Sequence, residues 1–109
     1  MFKDVMCSAV IVAAGVGKRM GSDRPKQFLS LNGKTIIERT AAVFGGCNAV
    51  DEIILVSSEN GISECYSLIS AYDWNKKVKY VCGGKERYNS VYNGIKAADK
   101  NSGIIIIHD

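Results

Sequence analysis

With 109 residues, 47% of them hydrophobic, the chain is long enough for one compact domain and too apolar to be intrinsically disordered. Its apolar runs are far shorter than the roughly 20 residues of a membrane-spanning helix. Its net charge of +3, from 14 basic and 11 acidic residues, gives little reason to expect binding to nucleic acid. The amino terminus does not resemble a secretory signal, so the sequence predicts a cytoplasmic protein.

The four cysteines are widely spaced and form no C-x-x-C pair (Cys7, Cys47, Cys65 and Cys82). A structural zinc site normally needs closely paired ligands, which argues against zinc here. Three of the four cysteines fall on apolar faces of predicted elements. We therefore expect small, buried thiols in a reducing compartment.

The first predicted element is a strand from Val5 to Ala14, whose nearly continuous apolar side chains are typical of a strand buried on both faces. It ends at Gly15 and is followed by a loop of about twenty residues, a length that indicates a functional loop. Thr35 and Glu38 then have the spacing of a capping box. They predict a helix that ends at Gly45-Gly46.

The rest of the chain continues to alternate strands and helices. Apolar spacing predicts, in order, a strand, a helix, a strand, a helix that begins near Asn89 or Ser90, and a strand (52–56, 62–72, 78–82, 91–98 and 104–107). This alternation is typical of an α/β fold with a parallel sheet, helices on both faces and right-handed crossovers.

Parallel α/β sheets bind ligands at the carboxyl ends of their strands, beside the point where the strand order reverses. Three motifs follow predicted strands in this chain: the glycine-basic loop from Gly15, the Gly83–Arg87 segment, and His108 with Asp109. Because these strand ends should meet at one edge of the sheet, the sequence predicts a single ligand site there.

The glycine-basic loop combines glycines with cations, in the order Ala13-Ala14-Gly15-Val16-Gly17-Lys18-Arg19-Met20-Gly21 and then Arg24-Pro25-Lys26-Gln27. Glycines let backbone N–H groups approach a phosphate, and Arg19 and Lys26 add charged donors. The spacing fits neither a P-loop, which needs Gly-Lys-Ser/Thr, nor a dinucleotide fingerprint, which needs a glycine where Met20 stands. Charged donors inside the loop indicate that a phosphate group reacts there. Solvated loop cations are the alternative interpretation.

Together these segments resemble the 2-C-methyl-D-erythritol 4-phosphate cytidylyltransferase family. The resemblance rests on four motifs in family order, at Ala13–Met20, Pro25–Gln27, Gly83–Gly94 and Ile104–Asp109. It implies a Rossmann-like three-layer nucleotidyltransferase fold with a mainly parallel sheet, of which residues 1–109 form the N-terminal, CTP-binding part of a single domain. Family members are considerably longer, so we expect the C-terminal half to be absent and the chain alone to have little activity.

The resemblance implies transfer of a cytidylyl group from CTP to 2-C-methyl-D-erythritol 4-phosphate, with release of pyrophosphate, in non-mevalonate isoprenoid biosynthesis. The partners would be CTP and a polyol phosphate, and the full-length form would be a homodimer. Three alternatives stay open: a ribitol-5-phosphate or related polyol-phosphate cytidylyltransferase, a nucleotidyltransferase that uses another base, and a noncatalytic nucleotide-binding module.

The resemblance also implies which residues form the site. Arg19 and Lys26 would be the catalytic cations that neutralise charge at the α-phosphate, and Asp109 would hold Mg²⁺ through carboxylate oxygen. Nucleotide contacts would come from the glycine-basic loop and from the segment after the third predicted strand (Ala13, Ala14, Gly15 and Gly17; Gly84, Lys85 and Ser90). Lys85 is expected to contribute through its backbone.

Several of these residues also fit structural interpretations. Ser90 is a suitable helix cap, and Gly83-Gly84 is a suitable turn at a strand end. His108 is the only histidine in the sequence. A phosphate monoester is already anionic near neutral pH and needs no general base, so we interpret His108 as structural. Arg87 lies within the Gly83–Arg87 segment, here called the glycine segment, and is expected to position it by hydrogen bonding; contact with phosphate is the alternative.

Overall fold

The computed structural model of the chain describes residues 5–13, 30–31, 34–59 and 61–108. Within them the elements are β1 (Met6–Val12), β2 (Ser30–Leu31), β3 (Lys34–Thr35), α1 (Ile36–Gly45), β4 (Glu52–Ser57), α2 (Ile62–Ile69), β5 (Lys77–Cys82), α3 (Arg87–Ala97) and β6 (Ser102–His108). None of the helices in these ranges is long and apolar enough to cross a membrane. The alternation of strands and helices predicted from the sequence is confirmed. The antiparallel pair β2–β3 was not predicted, because strands of two residues have no periodic pattern.

The larger sheet of the described chain has four parallel strands in the order β5-β4-β1-β6. β1 pairs with β4 as far as Val12 opposite Val56, and with β6 as far as Ile11 opposite His108. β6 follows β5 in the sequence but lies on the far side of β1, so the strand order reverses between β1 and β6. The parallel sheet is confirmed, and the carboxyl ends of its strands lie at one edge.

Helices cover both faces of the sheet, as predicted. α1 and α2 pack on one face, in a cluster that includes buried residues of these helices and of both central strands (Cys7, Ala9, Ile11, Ile37, Ala41, Ile53, Leu55, Cys65 and Ile69). α3 packs on the other face, over the alternate residues of the same strands (Val10, Val12, Ile54 and Val56). Because β1 contributes to both clusters, its continuous apolar pattern is explained by burial on both faces.

Helix α1 begins and ends where the sequence predicts. The Thr35 side chain accepts the Glu38 N–H at 3.2 Å, and the Glu38 carboxylate accepts the Thr35 N–H at 2.9 Å, which completes the capping box. At the other end the Gly46 N–H donates to the Ala42 carbonyl at 2.9 Å. The hydrogen bonds from Thr35 and from the Tyr72 hydroxyl lower the pKa of the Glu38 carboxyl.

Helix α2 is shorter than predicted, since it ends at Ile69 and leaves Tyr72 in the following turn. There the Tyr72 ring stacks on Trp74 with 5.2 Å between ring centroids. Its hydroxyl donates to the Glu38 carboxylate at 2.7 Å and accepts from Lys34 Nζ at 3.1 Å. Tyr72 thereby joins β3 and α1 to the segment between α2 and β5.

Helix α3 begins earlier than predicted, at Arg87 rather than at Asn89 or Ser90. Its N-cap is Glu86, whose N–H donates to the Asn89 side-chain oxygen at 3.1 Å. Glutamate is not among the preferred N-cap residues, so no cap signal marks the observed start of the helix in the sequence. Ser90 therefore lies inside the helix, and its interpretation as the cap is wrong.

The cysteines only partly follow the prediction. None of the four cysteines, all of which lie in the described ranges, forms a disulfide; Cys7 and Cys65 are buried, and Cys47 and Cys82 are exposed. Cys47 lies just beyond α1, and Cys82 ends β5, which is an edge strand of the described sheet. Burial raises the pKa of the Cys65 thiol.

A buried carboxylate joins the strands near their amino ends. Glu52, the first residue of β4, is fully buried, and its Oε1 accepts from Ser8 Oγ at 2.7 Å and from the Asp99 N–H at 3.0 Å. Its Oε2 lies 2.9 Å from Lys79 Nζ on β5. Lys79 also donates to the Ala97 carbonyl at 2.7 Å, at the end of α3.

Ser8 extends this network to β6, because its Oγ lies 2.6 Å from Ser102 Oγ. An ionised carboxylate only accepts hydrogen bonds, so Ser8 donates its hydrogen to Glu52 and Ser102 donates to Ser8. One carboxylate therefore connects the four strands of the sheet. Burial alone would raise the pKa of Glu52, but hydrogen bonds from Ser8, Lys79 and the Asp99 N–H outweigh it, and the pKa falls below its ordinary value of 4.5.

Replacing Glu52 by glutamine should lower the free energy of unfolding by about 2 kcal/mol, because Lys79 and the donors around it lose the negative charge that they surround. Urea unfolding followed by circular dichroism measures this change. Glu59→Gln is the matched control, since Glu59 is exposed, and should change stability by less than about 0.5 kcal/mol. Equal effects of the two substitutions would contradict the network.

The same carboxylate predicts a loss of stability at acid pH. Because the pKa of Glu52 is lower in the folded chain than the ordinary 4.5, its stabilisation is complete above the unfolded pKa and is lost as the pH falls through the folded pKa. Between about pH 5 and pH 3 the wild type should therefore lose more stability than Glu52→Gln, which has no proton to gain there. Urea titrations of both proteins at each pH test this prediction. If the free energy of unfolding fell by the same amount in both proteins over this range, the prediction would be refuted.

Candidate functional site

Three predicted motifs begin at the carboxyl edge of the sheet. The Ala13 N–H donates to the Val56 carbonyl at 2.7 Å, so Ala13 continues the pairing of β1 with β4. The Gly83 N–H donates to the Ser57 carbonyl at 2.7 Å and likewise continues the pairing of β4 with β5. His108 is the last residue of β6. The expected convergence is confirmed for the described residues of each motif.

Six of the predicted site residues lie outside the described residues: Ala14, Gly15, Gly17, Arg19, Lys26 and Asp109. The first five belong to the loop that follows Ala13, and Asp109 follows His108 directly. Their roles as nucleotide, catalytic and metal contacts stay predictions.

The structure brings Gly84 and Ser90 together. The Gly84 N–H donates to Ser90 Oγ at 3.2 Å, and Ser90 is 2% exposed. Because the hydroxyl oxygen accepts this bond, the hydroxyl hydrogen is kept for a further acceptor. Lys85, the next residue of the Gly83–Arg87 segment, is exposed. Ser90 therefore holds the Gly84 backbone in place at the carboxyl end of β5.

Gly84 packs tightly against the start of α3. A Cβ atom at this position would lie 2.2 Å from Asn89 Cβ, which is far closer than real contacts allow. Asn89 cannot move freely, because its side-chain oxygen accepts the Glu86 N–H at the helix N-cap. Any side chain at position 84 must therefore displace either the glycine segment or the start of the helix.

His108 makes a contact that fits its structural interpretation. Its ring meets the Phe44 ring edge-on, with 5.7 Å between centroids and 72° between the planes. The two rings line a cavity of about 240 Å³ together with Arg39, Thr40 and Val43 of α1. The contact joins the carboxyl end of β6 to α1.

The donor set for a metal is incomplete in the described ranges. Residues 5–13, 30–31, 34–59 and 61–108 contain no group of three or more His, Cys, Asp or Glu side chains that could hold an ion. The predicted ligand, Asp109, lies outside these ranges.

Asn93 lies within the predicted motif Gly83–Gly94, but no role was assigned to it from the sequence. Asn93 donates from Nδ2 to the Cys82 carbonyl at 3.1 Å, directly before Gly83. The available signal was its position, three residues after Ser90, because residues three apart lie on the same side of a helix. That spacing places Asn93 and Ser90 over the same segment.

A sequence profile of the 2-C-methyl-D-erythritol 4-phosphate cytidylyltransferase family matches residues 7–109. A protein with that name from Clostridium botulinum (strain Langeland) is 48% identical over 102 residues, which are 94% of this chain and 44% of the relative. The chain thus spans less than half the length of this relative.

Two solved structures are also similar. The 4-diphosphocytidyl-2C-methyl-D-erythritol synthase of Anaerococcus prevotii superposes with a TM-score of 0.81 at 28% identity, over 96% of this chain and 43% of that one. The 2-C-methyl-D-erythritol 4-phosphate cytidylyltransferase of Francisella tularensis gives a TM-score of 0.67 at 34% identity, over 95% and 43%. The α/β fold with its mainly parallel sheet is therefore the N-terminal part of this architecture.

Because the family profile matches nearly the whole chain, and the parallel sheet superposes on solved structures with the family's activity in their names, the chain belongs to the 2-C-methyl-D-erythritol 4-phosphate cytidylyltransferase family.

Proposed function

We propose that the protein carrying this chain transfers a cytidylyl group from CTP to 2-C-methyl-D-erythritol 4-phosphate and releases pyrophosphate, a step of non-mevalonate isoprenoid biosynthesis. The main support is the Gly84–Ser90 contact at the carboxyl edge of the parallel sheet, in a chain of this family. As the resemblance implies, the enzyme acts in the cytoplasm as a homodimer.

The proposed reaction is an in-line displacement. A phosphate oxygen of the acceptor forms a bond to the α-phosphorus of CTP, and the bond from that phosphorus to the bridging oxygen of the β-phosphate breaks. Pyrophosphate takes the electron pair and leaves. The acceptor phosphate is anionic near neutral pH, so no side chain has to remove a proton from it.

Arg19 and Lys26 are the proposed catalytic cations. Two anionic groups must meet at the α-phosphorus, and negative charge builds up on the oxygens around it. Both residues belong to the loop that follows Ala13. The backbone of Ala13 itself is hydrogen-bonded to β4. A guanidinium and an ammonium group held there would stabilise the charge of the transition state.

The nucleotide contacts divide between two segments. In this proposal Ala13, Ala14, Gly15 and Gly17 bind the triphosphate through backbone N–H groups. Gly84 and Lys85 contact the cytosine and ribose through their backbone, and Ser90 through its hydroxyl. Ser90 also holds the Gly84 backbone in place, because its Oγ accepts the Gly84 N–H.

Mg²⁺ is the proposed metal, and Asp109 would hold it. Because β6 ends at His108, Asp109 follows the strand at its carboxyl end. One carboxylate together with substrate phosphates is a common ligand set for Mg²⁺, so the residues fit the ion. When bound, the ion neutralises charge on the triphosphate.

The proposal is tested with the protein that carries this chain, incubated with CTP, Mg²⁺ and 2-C-methyl-D-erythritol 4-phosphate while pyrophosphate release is measured. Turnover with this acceptor, and not with ribitol 5-phosphate, is the expected result. Turnover only with ribitol 5-phosphate would identify a polyol-phosphate cytidylyltransferase. Binding of CTP without turnover would identify a nucleotide-binding module.

Substitution of either catalytic cation should reduce turnover strongly. We expect Arg19→Ala and Lys26→Ala each to lower kcat by about 100-fold or more, because each removes a charged donor from the α-phosphate. Lys100→Ala is the control, since Lys100 is exposed and lies near the amino end of β6. A near-normal kcat in both variants would show that Arg19 and Lys26 are solvated loop cations without a catalytic role.

An alanine at position 84 should weaken CTP binding. The added Cβ would collide with Asn89, so Gly84→Ala moves the segment that is proposed to contact the nucleoside. We expect the Kd for CTP, measured by calorimetry, to rise about tenfold, which corresponds to about 1.4 kcal/mol. Gly46→Ala is the matched control, because a Cβ there comes no closer than 3.4 Å to the Ala42 carbonyl oxygen. Equal affinities would contradict the assignment of Gly84.

A further inference from the structure

The peptide unit between Cys82 and Gly83 is held from two sides. Its N–H, which belongs to Gly83, donates to the Ser57 carbonyl of β4 at 2.7 Å. Its carbonyl, which belongs to Cys82, accepts from Asn93 Nδ2 of α3 at 3.1 Å. The orientation of this peptide unit is therefore set by a strand on one side and a helix on the other.

Asn93 reaches this carbonyl because α3 lies unusually close to the sheet. A Cβ atom at the next residue, Gly94, would lie 2.5 Å from Val10 Cγ1 and 3.0 Å from Val56 Cγ2. Only glycine fits at that approach, and it lets the backbone of α3 rest on β1 and β4. The contact of Gly94 with the sheet fixes the height of Asn93 above the end of β5.

Side chains of α3 hydrogen-bond to the backbone along the glycine segment. Three side chains near the start of α3 each bind one backbone group in or directly before this segment: Asn89, Ser90 and Asn93. Asn89 and Ser90 lie about one helical turn before Asn93. Their partners are the Glu86 N–H, the Gly84 N–H and the Cys82 carbonyl, at 3.1, 3.2 and 3.1 Å. The three backbone groups belong to every second residue of the chain: Cys82, Gly84 and Glu86. These contacts therefore determine the path of the backbone between β5 and α3.

We propose that Asn93 is a positioning residue of the nucleotide site, which orients the Cys82–Gly83 peptide unit and thereby sets where the Gly84 backbone meets the nucleoside. The proposal rests on the proposed function, since it assumes that Gly84 contacts CTP. Glycine backbone has few barriers to rotation, so this segment needs external contacts to keep one conformation. Asn93 supplies the contact on the carbonyl side.

The first test needs no nucleotide. Asn93→Asp keeps the size of the side chain but replaces its donor with a carboxylate that repels the Cys82 carbonyl. In the protein that carries this chain, we expect hydrogen exchange of the Gly83 and Gly84 amides to become at least tenfold faster. Asn101→Asp makes the same charge change at an exposed residue before β6 and should leave both amides unchanged.

The second test separates positioning from general stability. In Asn93→Asp the Kd for CTP should rise about tenfold, while the Kd for pyrophosphate, which probes the triphosphate contacts of the glycine-basic loop, should stay within about twofold. A residue that acted only through global stability would change both affinities or neither. Asn93→Ala removes the donor without adding a charge and should give the same selective loss, which keeps the test decisive if Asn93→Asp fails to fold.

The outcomes distinguish the two proposals. Unchanged glycine amides in both Asn93 variants would overturn the role of Asn93, whatever the ligand. Faster amide exchange with an unchanged Kd for CTP would also overturn it. If the wild type binds pyrophosphate but not CTP, the proposed function fails and with it the link from Asn93 to the nucleoside.

Discussion

The arrangement of the sheet depends on one buried negative charge near its amino edge. Glu52 is fully enclosed, and it is stable there only because Ser8, Lys79 and the Asp99 N–H together outweigh the cost of burial. These donors come from β1, from β5 and from the connection between α3 and β6, and Ser8 adds a bond to Ser102 of β6. The same strand order and register that form the sheet thus also bring together the groups that stabilise this charge, at the edge opposite the candidate site.

The parts of the fold that the sequence predicts correctly are those with local signals. β1 has a continuous apolar run, and the capping box of α1 lies within four residues, so neither depends on distant neighbours. The Glu52 network was missed because Ser8 and Glu52 are 44 residues apart and meet only once the register is fixed. The exposure of Cys82 was missed for the same reason, since apolar spacing does not reveal which strand lies at an edge.

The candidate site shows the same division. The meeting of the strand ends follows from the βα alternation, and the pairing of Gly84 with Ser90 agrees with the family motif that contains both. The role of Asn93 was missed because its partner is a main-chain carbonyl. Every residue has such a carbonyl, so the residue types in the sequence do not show which one an asparagine will bind. A side chain whose role is to orient backbone becomes visible only when the helix is placed on the sheet.

The contacts of Ala13 and Tyr72 also affect the thermodynamics of ligand binding. Ala13 is bonded to β4 before the glycine-basic loop, and Tyr72 binds Lys34 and Glu38 after it. Both ends of the loop are therefore fixed within the folded chain, and the entropic cost of loop closure is met when the protein folds. A nucleotide that binds as proposed does not have to bring the two ends of this loop together, which leaves more of its binding energy for affinity and catalysis.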